Sequence, residues 1–83
     1  MHTPGHTPGS VCYFLEAEGL LFTGDTVFAG AVGRTDFAGG DKIKMRESLR
    51  RLLALPDETV ILPGHGPETT LGGERRYLES LLL

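Results

Sequence analysis

Three residues of this 83-residue chain combine metal-binding side chains with glycine neighbours, although they lie far apart in sequence. They are His6, Asp25 and His65, which occur as Gly5-His6, Gly24-Asp25 and Gly64-His65-Gly66. Imidazole and carboxylate groups are common ligands of zinc and iron(II), and glycine permits close backbone approach and unusual dihedral angles. The pattern predicts metal ligands that converge from separate segments. Taken singly, each residue is also typical of an exposed loop histidine or a turn aspartate.

The elements that must position these residues predict an α/β fold. Residues 11–16 and 20–23 are rich in β-branched and aromatic side chains and predict a hairpin, and residues 59–62 predict a short buried strand. The doubled tetrapeptide at residues 2–9 ends twice in Pro-Gly, and each copy predicts a type II turn with a positive glycine φ. The candidate ligands all lie in strand-end loops, where binding sites are commonly built.

The rest of the chain predicts one long loop and two helices. Residues 26–40 lack periodicity but retain Phe28, Val32 and Phe37, which favours an ordered functional loop. Asp41 is typical of an N-cap for a helix over residues 42–55. Residues 74–83 predict a second helix. The apolar stripe expected to pack the first helix comprises Ile43, Leu49, Leu52 and Leu53.

Composition excludes several classes of function. The net charge of −3 gives no general attraction to nucleic acid or to an anionic membrane, and the basic residues within 42–51 are typical of a solvated helix face. Cys12 is the only cysteine, so we expect no internal disulfide and a small buried side chain. Neither a signal peptide nor a membrane-spanning run is evident, so we expect a cytoplasmic protein.

Four successive motifs resemble those of the metallo-β-lactamase superfamily, and within it the hydroxyacylglutathione hydrolase (glyoxalase II)-like branch. Together they cover nearly the whole chain in order. They are Thr3-Pro4-Gly5-His6-Thr7-Pro8-Gly9-Ser10, Leu21-Phe22-Thr23-Gly24-Asp25-Thr26-Val27-Phe28, Gly33-Arg34-Thr35-Asp36-Phe37 and Pro63-Gly64-His65-Gly66-Pro67.

The resemblance implies an αβ/βα sandwich of two similar halves, of which residues 1–83 are the C-terminal half. The superfamily's His-X-His-X-Asp-His motif, which supplies further ligands from the N-terminal half, does not occur in this chain. We therefore expect a partner that is either the missing N-terminal half or a second copy of the chain. Activity of the chain by itself is not expected.

The resemblance also implies a two-metal site in which His6 binds the first metal, Asp25 bridges both, and His65 binds the second. Zinc is the expected metal, with iron or manganese as alternatives. Asp25 is also the candidate catalytic residue, because it fixes the separation of two cations. The metals would lower the pKa of a shared water, and the resulting metal-bridging hydroxide would attack a thioester such as S-lactoylglutathione.

Arg34 is the first candidate for contacting an anionic substrate, because its guanidinium group matches carboxylates such as those of glutathione. A structural ion pair with Asp36 is an equally weighted interpretation. Thr35 and Phe37 are weaker candidates for substrate binding. His2 is expected to make a local hydrogen bond rather than to bind metal.

Two alternatives to a thioester hydrolase stay open. One is a persulfide dioxygenase with a single iron, in which His6 and Asp25 belong to a 2-His-1-carboxylate triad and His65 does not bind metal. The other is a non-catalytic half-domain that pairs with another chain through an apolar face.

Overall fold

A computed structural model describes residues 1–83 as two helices and six short strands. In chain order they are β1 (Tyr13–Leu15), β2 (Leu20–Gly24), β3 (Val27–Phe28), β4 (Ala31–Val32), α1 (Lys42–Leu52), β5 (Val60–Pro63), β6 (Thr69–Thr70) and α2 (Leu71–Ser80). The predicted α/β class is confirmed. Neither helix is long and apolar enough to cross a bilayer.

The main sheet has four strands in the order β1-β2-β5-β6. Its two central strands, β2 and β5, run parallel, with Leu21 opposite Ile61, whereas both edge strands are antiparallel to their neighbours. A parallel pair needs a long crossover, and here the crossover contains the separate β3–β4 hairpin and α1. The carboxyl ends of β2 and β5 therefore meet at one edge of the sheet.

The core lies between the helices and one face of this sheet. Leu21 and Ile61 are fully buried at the centre of the sheet and belong to one cluster with leucines of both helices. Cys12 is also buried in this cluster, as its apolar neighbours predicted. Burial raises the pKa of the Cys12 thiol, and hydrogen bonds with Thr3 and Thr26 oppose that rise.

The opposite face of the sheet is apolar and carries no helix. Strand alternation places Tyr13 and Leu15 on this face, opposite Phe22 and Leu20 of β2. Tyr13 is 66% exposed, and Leu15 and Phe22 are also exposed. One layer of helices on one layer of sheet thus leaves these apolar side chains exposed.

Helix α1 differs from its predicted length and from its predicted buried stripe. Asp41 caps its N-terminus as expected, by accepting a hydrogen bond from the Lys44 amide. The helix ends at Leu52 rather than at residue 55. Ile43 was predicted to be buried but is 68% exposed, because Met45, Ser48, Leu49 and Leu52 form the buried face instead.

Residues 26–40 also differ from the prediction of a loop without secondary structure. They contain the β3–β4 hairpin, which pairs Val27 with Val32 and Phe28 with Ala31. Two-residue strands are too short for periodicity to reveal. Strand β6 was missed for the same reason, and α2 begins at Leu71 rather than at residue 74 because Thr70 caps it through the Gly73 amide.

The two predicted Pro-Gly turns are not equivalent. Gly5 has a φ of 146°, far from the value of about 80° that a type II turn requires, and Gly9 does not have a positive φ, so neither predicted type II turn forms. A Cβ on Gly5 would lie 2.5 Å from the Met45 Cα atom. Glycine at position 5 therefore lets the segment before His6 pack directly on α1, a tertiary constraint that the repeat itself does not encode.

Candidate metal centre

Two of the three candidate ligands lie at the carboxyl ends of the parallel strands. Asp25 directly follows β2, and His65 follows β5 after a single glycine. The Gly64 amide donates a hydrogen bond of 2.8 Å to the Gly24 carbonyl, which joins the two strand ends just before the ligands. Sheets with parallel strands commonly bind ligands beyond these ends.

The third candidate, His6, comes from the turn that precedes β1. This turn is closed by a 2.9 Å hydrogen bond from the Thr3 amide to the Ser10 carbonyl. Ser48 and the Asp41 amide, at α1, donate to the Pro4 and Gly5 carbonyls. The turn is therefore held from both sides, which fixes the backbone that carries the imidazole.

The three side chains meet at the carboxylate of Asp25. The His6 Nε2 atom is 3.9 Å from Asp25 Oδ2, and the His65 Nε2 atom is 3.5 Å from Asp25 Oδ1. The sequence argument required this convergence. The cluster is open to solvent, since the side chains of His6, Asp25 and His65 are 24%, 46% and 81% exposed.

These separations fit ligands that share a cation better than they fit hydrogen bonds. An N–H···O bond spans about 2.7–3.2 Å. Two ligand atoms about 2.1 Å from one zinc ion lie about 3.4 Å apart at a tetrahedral angle, and about 3.9 Å apart when the angle opens to about 135°. The residues present therefore fit a metal.

The ring orientation of His6 agrees with this. Its Nδ1 atom is 2.9 Å from the Arg34 carbonyl oxygen, which can only accept, so Nδ1 carries the proton in a neutral ring. The lone pair of Nε2 then faces Asp25. Metal-binding histidines are usually oriented in this way by a hydrogen bond from the other ring nitrogen.

The donor set divides into two pairs. No three histidine, cysteine, aspartate or glutamate side chains are grouped so as to hold one metal ion. His6 and His65 instead face different oxygens of Asp25. Each prospective metal position thus has two ligands from this chain, which is fewer than the three or four protein ligands that zinc sites normally use.

Gly33 makes room for this arrangement, although the sequence argument gave it no role in the site. Its amide donates a 2.9 Å hydrogen bond to the Thr26 carbonyl. A Cβ at this position would overlap the Asp25 carbonyl oxygen and would lie 3.0 Å from the Cβ of His6. Only glycine lets this segment lie against both ligands. The sequence signal for this role was the position of Gly33 as the first residue of the Gly33-Arg34-Thr35-Asp36-Phe37 motif.

Two aromatic side chains border the histidines. The Phe28 ring stacks on the His65 ring with the centroids 6.4 Å apart. The Phe37 and His6 rings meet edge to face, with their centroids 5.2 Å apart. Phe37 thus lies beside His6. Phe28 was assigned no functional role from the sequence, because its two-residue strand was not recognised.

The remaining candidates surround the site less directly. Arg34 forms the ion pair with Asp36, at 3.0 Å, and its guanidinium group also lies 5.9 Å from the centroid of Phe37. The hydrogen bond from Arg34 lowers the pKa of Asp36. Thr35 lines a separate cavity of about 120 Å³ against α1. His2 makes the expected local hydrogen bond, by donating to the Pro8 carbonyl at 2.6 Å.

Comparison with known proteins gives consistent matches. A family model for the metallo-beta-lactamase superfamily matches residues 1–65. The hydroxyacylglutathione hydrolase GloC of Haemophilus influenzae is 46% identical over 77 residues, which cover 92% of this chain and 36% of that protein.

Solved structures agree with the sequence match. The crystal structure of TTHA1623 in a di-iron-bound form superposes with a TM-score of 0.88 at 50% identity, covering 92% of this chain and 38% of that one. ETHE1 from Myxococcus xanthus has a TM-score of 0.86 at 38% identity, covering 99% and 38%. The chain spans about a third of the length of these relatives.

Proposed function

The chain belongs to the metallo-beta-lactamase superfamily, and from this premise we propose that it supplies Asp25, His6 and His65 to a two-metal hydrolytic site that acts on glutathione thioesters. One observation carries the proposal: the two oxygens of a single carboxylate face two different imidazole nitrogens, at 3.9 and 3.5 Å. The similarity to a hydroxyacylglutathione hydrolase supports the substrate class. Zinc is the proposed metal, and the similarity to a di-iron form makes iron the first alternative, ahead of manganese.

The residues of the chain have separable roles in this proposal. The negative charge of Asp25 would offset the repulsion between two cations bound on either side of it. The Arg34 carbonyl holds the His6 ring in the tautomer that leaves Nε2 free. Bound metal would supply a Lewis acid for the thioester carbonyl and lower the pKa of water to near neutrality.

Substrate binding is proposed to use the loop after β4. Arg34 is exposed, with its side chain 75% accessible, so its guanidinium group can pair with a substrate carboxylate in exchange for Asp36. Phe37 and Thr35 flank it in the same loop. Because an exposed ion pair contributes little free energy, breaking the pair of Arg34 with Asp36 costs little.

Each metal needs further ligands from another polypeptide segment, since this chain offers two per metal. We propose that they come either from sequence like that in the other two thirds of the relatives, or from a second copy of the chain. The apolar face around Tyr13, Leu15 and Phe22 is the proposed surface for such a partner.

A chimaera tests the proposed reaction. In it, this chain replaces the matching 77-residue stretch of the Haemophilus influenzae relative. We expect the chimaera to hydrolyse S-lactoylglutathione and the Asp25→Asn variant to lose at least about 100-fold in rate, in line with the loss of a metal-bridging charge. His2→Gln, which keeps a donor for Pro8, should match the unmodified chimaera. Full activity in Asp25→Asn would refute the proposal.

A persulfide dioxygenase is the second candidate, and the similarity to ETHE1 favours it. In that case the chimaera would consume oxygen in the presence of glutathione persulfide, and His65→Ala would not affect the reaction. The 3.5 Å approach of His65 to Asp25 favours the hydrolase, because the dioxygenase assigns His65 no metal.

A further inference from the structure

Glu74 is a buried carboxylate that pairs with no cation. It is 9% exposed, and none of the four ion pairs in the chain includes it. Its Oε1 atom accepts from the Gly30 amide at 2.9 Å, and its Oε2 atom accepts from the Thr69 hydroxyl at 2.7 Å. Burial of a carboxylate costs free energy, and these two hydrogen bonds offset part of that cost.

The two donors belong to the segments that follow two of the candidate ligands. Gly30 forms the turn of the β3–β4 hairpin, five residues after Asp25. Thr69 begins β6, four residues after His65. The hairpin also carries Phe28, whose ring stacks on His65. The carboxylate of Glu74 therefore joins the segment after Asp25 to the segment after His65.

Helix α2 does not need Glu74 for its own attachment. Thr70 already caps the helix through the Gly73 amide. Arg75 anchors it with a 2.6 Å bond to Asp57 and further bonds to the Leu53 and Leu55 carbonyls. The Glu74 side chain makes its two bonds outside the helix instead, to the hairpin turn and to β6.

We infer that Glu74 is a positioning residue that sets the placement of His65 relative to Asp25, an inference that rests on the proposed function of those two residues. It acts through the hairpin turn and through Thr69, and it does not contact metal or substrate. Without it, the hairpin turn at Gly30 loses its link to Thr69 of β6, the Phe28 ring shifts relative to the His65 ring, and the placement of His65 relative to Asp25 changes.

NMR of the metal-free chain tests this with three variants. Glu74→Ala removes both bonds. Glu74→Gln keeps them, because its oxygen accepts from Gly30 and its amide donates to the Thr69 hydroxyl. Asp57→Asn is the matched control, since it weakens the attachment of α2 at Arg75 without touching the hairpin.

We expect Glu74→Ala to speed hydrogen exchange of the Gly30 amide at least about tenfold and to remove the ring-current shift of Phe28 on the His65 ring protons. Glu74→Gln should restore both, and Asp57→Asn should leave both unchanged. The inference is overturned if Glu74→Ala leaves the His65 signals in place, or if Asp57→Asn moves them equally. Should Glu74→Ala not fold, Thr69→Val removes only the Oε2 bond and must still shift the His65 signals.

A zinc titration of the chimaera that carries the same variants then separates this inference from the proposed function. Glu74→Ala should lower the affinity for the zinc ion that His65 binds by about tenfold, the size expected for loss of an outer-shell partner. Glu74→Gln should leave that affinity unchanged. If the unmodified chimaera binds no zinc while the NMR result holds, the proposed function fails and the positioning role of Glu74 stands. A Glu74→Ala variant that binds zinc normally contradicts the inference.

Discussion

Substitution of Gly33 by alanine should disturb the candidate metal centre more than any other single-methyl addition near it. The added Cβ would overlap the Asp25 carbonyl oxygen and would lie 3.0 and 3.1 Å from the Cβ and Cγ atoms of His6. The segment cannot simply move outward, because the Gly33 amide is bonded to the Thr26 carbonyl at 2.9 Å. One methyl group therefore acts on two ligands at once.

The magnitude follows from the contacts. Overpacking of this kind costs about 1–3 kcal/mol, and each kcal/mol lowers the melting temperature of a domain this small by about 4–8 °C. Gly9→Ala is the matched control. It adds the same methyl group to the neighbouring loop, where nothing lies within 4 Å and φ is not positive, so its effect should stay within about 0.5 kcal/mol or be slightly stabilising.

Urea denaturation of both variants gives the free energies of unfolding, and a zinc titration of the chimaera that carries each substitution gives the effect on the site. Gly33→Ala should be less stable than Gly9→Ala by at least about 1 kcal/mol and should bind zinc more weakly. Equal stability and equal zinc affinity in the two variants would refute the close approach of Gly33 to His6 and Asp25.

Three other outcomes follow from the core and the loop. Leu49→Ala should lower the free energy of unfolding by about 2–5 kcal/mol, measured against Ile43→Ala, whose exposed side chain should change it by less than about 0.5 kcal/mol. Because burial raises the pKa of Cys12 above 9.0, iodoacetamide should modify this thiol only when the chain unfolds. The free energy of unfolding should fall as the pH rises from 9.0 toward the folded-state pKa. Rapid labelling of the folded chain would contradict this. Because Arg34 lowers the pKa of Asp36 below 3.8, their pairing should add to the free energy of unfolding above pH 3.8. This contribution should be lost as the pH falls through the lower folded-state pKa. An NMR titration that finds the same Asp36 pKa in Arg34→Gln would exclude the ion pair as the cause.

The sequence predicted the central strands, and the places of Asp25 and His65 just after them, where local chemistry decides them. The apolar runs that became β2 and β5 each end in Gly and a candidate ligand, and adjacent parallel strands then bring Asp25 and His65 together. Asp41 capped α1 as expected, since capping depends on a single side chain and a nearby amide.

Features set by tertiary contacts could not be predicted in the same way. Ile43 fits the helical period as well as Met45 does, and only the approach of the Gly5 segment decides that Met45 is buried. The β3–β4 hairpin and β6 are two residues long per strand, which is too short for any period. The role inferred for Glu74 depends on Gly30, 44 residues away in sequence.

A count of zinc ions bound at saturation, by native mass spectrometry, tests the central claim most directly. If Asp25 bridges two metals, the chimaera with the Haemophilus influenzae relative and its His2→Gln variant should each bind two ions, His65→Ala should bind one, and Asp25→Ala should bind fewer than two. Two bound ions in Asp25→Ala would contradict the shared carboxylate, and one ion that is unaffected by His65→Ala would favour a mononuclear site instead.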